Sequence, residues 1–91
     1  MEFQLKNTNM INMEDQQLIW LVSEISTILI ESLGSTQDEL YVWYKGDGEI
    51  ILDTTNKELK LINCENLDIK TYYSIIGLCK IRELILTENN N

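Results

Sequence analysis

The sequence contains no histidine, no proline and no alanine, and Arg82 is its one arginine. Catalysis by an activated nucleophile near neutral pH usually recruits histidine as the base, so Ser–His and Cys–His arrangements are excluded. We therefore expect a protein that is not an enzyme and has no catalytic residues. Alanine, proline and arginine have GC-rich codons, and the surplus of isoleucine, asparagine and lysine indicates an AT-rich gene, which is compatible with a virus or mobile element.

Cysteine is also scarce. Cys64 and Cys79 lie 15 residues apart, and a tetrahedral zinc site needs four ligands, which two thiols without any histidine do not supply. We expect neither a metal nor a cofactor. Residues Met1–Gln17 include a single lysine, so they lack the basic start of a signal or transit peptide. These features predict a cytoplasmic, intracellular protein whose two thiols stay reduced and buried.

The chain has no long uninterrupted apolar run. Its most apolar stretch, Leu18–Leu33, is broken by Ser23, Glu24 and Glu31. A transmembrane helix needs about 20 predominantly apolar residues, so this stretch is too polar and too short to span a bilayer. We expect a soluble helix here and no membrane partner.

Acidic residues outnumber basic ones, with 15 Asp and Glu against 7 Lys and Arg and a formal net charge of −8. Such a charge repels the phosphates of nucleic acids, so direct binding of DNA or RNA is not expected. It favours a protein partner with a basic surface, including a surface that normally holds nucleic acid.

A chain of 91 residues has room for one modest hydrophobic core, so we expect a single domain over residues 1–91. Residues 1–12 and 88–91 are polar and rich in asparagine, and we expect them to be flexible ends. The apolar residues of 14–33 recur at intervals of three and four, which predicts a helix that Gly34 terminates.

Three runs downstream favour strands. Residues 40–45 and 49–53 flank a glycine turn, and residues 58–63 follow a four-residue turn. Residues 68–80 have helical spacing. Residues 82–87 suit either a continuation of this helix or a strand, and we adopt the strand because it would complete a parallel crossover. The predicted fold is α+β, with an N-terminal helix, a three-stranded antiparallel meander, a second helix and a C-terminal strand, and with both helices on one face of the sheet.

The lengths of the two turns fix the register of the meander by parity. One face then carries only apolar side chains, among them Tyr41, Trp43 and Ile50, and must be the core. The opposite face mixes apolar and charged residues. It is either a solvated surface or an interface, and we expect a partner to bind there. The candidate partner-binding residues are Val42, Tyr44, Glu49, Ile51, Asp53, Glu58 and Ile62.

The leucine spacing in residues 59–67 and 78–89 resembles one and a half units of a leucine-rich repeat. This resemblance implies a fragment of a repeat protein. However, a continuous repeat core needs about three units. A single strand–helix–strand unit places the same leucines, and it is the interpretation adopted here.

These features together favour a small acidic protein that binds another protein. The first hypothesis is an inhibitor of the anti-defence type, encoded by a virus or mobile element, that blocks a basic or nucleic-acid-handling protein. The alternative is a structural or adaptor module that forms a homodimer through the open sheet face. A third hypothesis is a small enzyme that works with carboxylates alone.

Overall fold

The computed structural model describes residues 7–34, 38–65 and 67–89. Five strands form one mixed sheet, in the order β1-β2-β3-β4-β5, and two helices complete the fold. The elements are β1 (Asn7–Asn12), α1 (Asp15–Glu31), β2 (Glu39–Lys45), β3 (Gly48–Asp53), β4 (Glu58–Ile62), α2 (Ile69–Arg82) and β5 (Ile85–Asn89).

The central meander has the predicted register. Trp43 pairs with Ile50, and Ile50 pairs with Leu61, so all three share one face. The first turn contains two residues, and Gly46 at its first position has φ +59°, a conformation that a type II′ turn reserves for glycine. The second turn spans residues 54–57 and closes on the pair Asp53–Glu58.

The predicted architecture is wrong at the N-terminal end, whereas the C-terminal crossover of helix and parallel strand is present with different bounds. The first element is β1, which pairs in parallel with β2, so the sheet has five strands and does not begin with a helix. Residues 7–12 and 88–89, which were expected to be flexible, belong to the two edge strands. The predictions for residues 1–6 and 90–91 lie outside the described residues.

The C-terminal strand also begins later than predicted. Helix α2 continues through Arg82, and Glu83 ends it in the left-handed conformation with φ 57°. The Leu84 N–H then donates to the carbonyl of Cys79, which closes the helix end. Strand β5 therefore starts at Ile85 and pairs in parallel with β4.

Both helices cover the same face of the sheet. Each lies in a crossover between parallel neighbours, β1 to β2 and β4 to β5, and the two helices contact each other. The fully buried side chains come from both helices and from the meander: Trp43, Leu21, Ile25, Ile50, Leu52, Leu59 and Ile75. Neither helix has the length and apolar content that crossing a bilayer requires, in the part of the chain described.

Candidate interaction face

The sheet surface opposite the helices is the candidate site, and we call it the open face. Three rows of residues cross it, each with one residue from every strand. The seven residues predicted to bind a partner all lie within these rows. The rows are Thr8, Leu40, Asp53, Glu58, Ile85; Met10, Val42, Ile51, Lys60, Thr87; and Asn12, Tyr44, Glu49, Ile62, Asn89.

The centre of the open face is apolar. Val42 and Ile51 are direct cross-strand partners, and Tyr44 and Ile62 occupy the next row. Val42 is buried, whereas the other three are half-buried. No described helix packs on this side, because the buried residues of both helices join the cluster on the opposite face. The pairing thus places these four apolar residues next to one another at the centre of the face.

Two carboxylates stand at the margin of this patch. Glu49 pairs with Tyr44, and Glu58 lies two rows away on the neighbouring strand. Glu58 is already engaged, because the Lys60 ammonium is 3.9 Å from its Oε1 and the Thr87 hydroxyl donates to the same oxygen. An exposed pair of this kind contributes little to stability and stays available for exchange with a partner's cation.

Asp53 has a structural role within the same face. Its side chain is buried, with 7% exposure. Its Oδ1 accepts the backbone N–H groups of Thr55 and Asn56 at 3.1 and 3.2 Å, and its Oδ2 accepts the Asn56 amide at 2.8 Å. An aspartate in this position stabilises the turn that follows it. Among the predicted acidic residues, Glu49 and Glu58 therefore have the carboxylates that face outward.

The structure adds two exposed apolar residues that the predicted set omits. Met10 is 59% exposed and Ile85 is 63% exposed, and they belong to the two edge strands. The open face is consequently wider and more apolar than the meander alone suggests. Residues 7–12 have no polar–apolar alternation that would have identified β1 from the sequence.

One titratable group at the edge of the core is strongly perturbed. The Tyr41 hydroxyl donates to a carboxylate oxygen of Glu39, and this bond, with burial and the negative charge of Glu39, raises the pKa of Tyr41 to about 12. The unfolded chain releases this proton near pH 10, so between pH 10 and 12 it binds fewer protons than the folded chain. Stability therefore falls as the pH rises through this window.

Tyr41 is accordingly expected to ionise last when the tyrosinate absorbance is followed during alkaline titration. In a Glu39→Gln variant, its pKa should move toward 10, because the negative charge that opposes ionisation is removed. Glu14→Gln is the matched control, since Glu14 is exposed and does not contribute to the Tyr41 shift. Identical titration curves for the three proteins would contradict the contact.

Two thiols and several clefts lie outside the open face among the described residues. Burial raises the pKa of both the Cys64 and the Cys79 thiol, which lowers their nucleophilicity at neutral pH. Three clefts of about 310 to 480 Å³ open on the surface. Over the described ranges, no three His, Cys, Asp or Glu side chains come together as a metal site.

In comparisons with known proteins, no family model matches the chain, no curated protein is significantly similar to it, and no solved structure matches it. A proposal for its function therefore depends on the chain's own surface.

Proposed function

We propose that this chain is a non-enzymatic protein-binding protein, and that its open face binds a basic surface of another protein. The observation that carries the proposal is the continuous apolar patch around Val42 and Ile51, which no described helix covers and which Glu49 and Glu58 flank. Interfaces commonly combine an apolar centre with a polar rim.

The charge of the chain supports a basic partner. A net charge of −8 accelerates association with cationic surfaces and disfavours acidic ones. A protein that handles nucleic acid has such a cationic surface. An acidic sheet face bound there would exclude the nucleic acid, and this is the inhibitor role that we propose, with a virus or mobile element as the source of the gene.

A short peptide of alternating lysine and leucine is a suitable probe, because its two faces match the acidic rim and the apolar centre. We expect it to bind the wild-type protein and to bind more weakly as salt is added. The double variant Glu49→Gln/Glu58→Gln should bind several-fold more weakly, since each rim pair contributes about 0.2–1 kcal/mol. Tyr44→Asp should weaken binding further while the fold stays intact. Isothermal titration calorimetry measures all three.

The matched control is Glu14→Gln/Glu65→Gln, which changes the net charge by the same amount at two exposed residues outside the sheet. If both double variants weaken binding equally, peptide binding depends only on the total charge, and the open face is not the binding site. Full binding by Tyr44→Asp would likewise contradict the proposal.

A further inference from the structure

Helix α2 has a second apolar stripe, from which Tyr72 packs partly against the core. The spacing of Ile69, Tyr72, Tyr73 and Ile76 places them along one side of the helix, whereas its buried residues are Ile75, Leu78 and Cys79. Ile69 is 71% exposed and Tyr73 is 66% exposed. A second apolar side on one helix is unusual for a solvated surface and marks a contact site.

This stripe leans over β5. Interaction with the carboxylate of Glu88 in β5 raises the pKa of Tyr72, and both residues line a cleft of about 310 Å³ together with Ile69, Tyr73 and residues of β4 and the loop after it. No residue of α1 lines this cleft. The stripe therefore lies on the outer side of α2, above the free edge of the sheet.

The same edge presents backbone groups in a self-complementary pattern. The Ile85 N–H donates to Lys57, and the carbonyl of Asn89 accepts from Asn63, so the odd-numbered residues of β5 point toward β4. Along a strand, the N–H and C=O groups of successive residues point to opposite edges. Leu86 and Glu88 consequently direct their N–H and C=O groups outward, where no described strand pairs with them.

We propose that a second copy of this chain docks here, with β5 pairing antiparallel to β5 of its partner about a two-fold axis through Thr87. In this register Leu86 faces the partner's Glu88, and Glu88 faces the partner's Leu86. Both positions offer outward groups, so the two pairs form four backbone hydrogen bonds. No like charges oppose each other, because each glutamate faces a leucine.

The two copies of α2 then meet on the helical side. Each α2 lies in the crossover beside this edge, and the two-fold axis places both copies of α2 on the same side of the joined sheet. The pairing therefore brings Tyr73 and Ile76 toward their symmetry mates. A five-residue edge alone is small for a stable dimer, and the helix stripe supplies the additional apolar area.

The dimer uses the β5 edge and leaves both open faces free, so it goes beyond the proposed function and can fail independently of it. Because of the chain's net charge, the dimer and the complex with a basic partner should respond to added salt in opposite ways. Two chains of net charge −8 repel each other, so added salt should strengthen the dimer, whereas it should weaken binding of a basic partner.

Sedimentation equilibrium over a concentration series tests the interface. Wild-type protein should be a dimer. Glu88→Pro should weaken self-association about tenfold or more, because proline removes an outward N–H and leaves the β4 pairing intact. Glu88→Ala is its matched control: it loses the same carboxylate, keeps the N–H and should remain dimeric.

Tyr73→Lys tests the helix side, with Ser74→Lys as the control at the next, also exposed, residue. Tyr73→Lys should be monomeric and folded by circular dichroism, and Ser74→Lys should stay dimeric. A wild-type protein that is monomeric at every concentration overturns the proposal. A dimer that persists in Tyr73→Lys, or that the two lysine variants weaken equally, also overturns it.

Discussion

Substitution of Trp43 by alanine is expected to lower the free energy of unfolding by about 3–5 kcal/mol. Trp43 is 0% exposed and pairs with Ile11 on one side and Ile50 on the other, so it lies at the centre of the sheet beneath the helices. Truncation of this ring leaves a large cavity in a small core. Urea unfolding followed by circular dichroism measures the change.

The second tryptophan supplies the control. Trp20 is 64% exposed, so Trp20→Ala should change the free energy of unfolding by only about 0.5 kcal/mol. Trp43→Phe should cost less than Trp43→Ala, because it keeps most of the apolar ring and removes the Nε1 donor, which has no acceptor among the described residues. Equal losses in the two tryptophan-to-alanine variants would contradict the placement of the core.

Substitution of Ile11 by aspartate is expected to destabilise the protein by about 2 kcal/mol or more. Ile11 is half-buried against the core and pairs with Trp43, so the variant places a carboxylate beside a fully buried ring. Denaturant unfolding measures this loss directly.

Met10→Asp is the matched control, because it changes the same net charge in the same strand at a residue that is 59% exposed on the open face. Its effect should be within about 0.5 kcal/mol. If both variants are equally stable, β1 does not pair with β2 as described. If both are equally destabilised, the assignment of faces in β1 is wrong.

The sequence predicted the meander correctly because its signals are local. A two-residue glycine turn sets the register of β2 and β3, and parity then places Trp43 and Ile50 on one face. Strand β1 was missed for the opposite reason. Its partner β2 lies some 30 residues downstream, as in the pair Asn7–Glu39, and asparagine-rich segments have low intrinsic strand propensity. Pairing with β2, and not local strand propensity, therefore determines that β1 forms.

Helix α2 shows a different limit of sequence analysis. The spacing of Ile69, Tyr72 and Ile76 correctly indicates a helix, but the side that faces the core carries Ile75 and Leu78. Both sides have apolar residues, so periodicity alone does not determine which one is buried. The helix also ends later than predicted, because Glu83 adopts the left-handed terminating conformation that glycine or asparagine usually adopts, and its identity gives no stop signal.

The sequence predicted which residues share the open face, but it did not predict which interactions each side chain makes there. Parity placed the seven residues on one side of the sheet, which the pairing reproduces. The hydrogen bonds that engage Asp53 in its turn and the salt bridge between Glu58 and Lys60 depend on side-chain geometry that spacing does not encode.

The most direct test of the open face is a methyl NMR titration with the lysine–leucine peptide. Ile50 and Ile51 are neighbours in β3, but Ile50 is fully buried under the helices and Ile51 faces the opposite side. The account predicts shifts for the methyl groups of Ile51, Ile62 and Val42 at low peptide concentration. Shifts confined to the exposed helix residues Ile30, Ile69 and Ile81, with Ile51 unchanged, would contradict it.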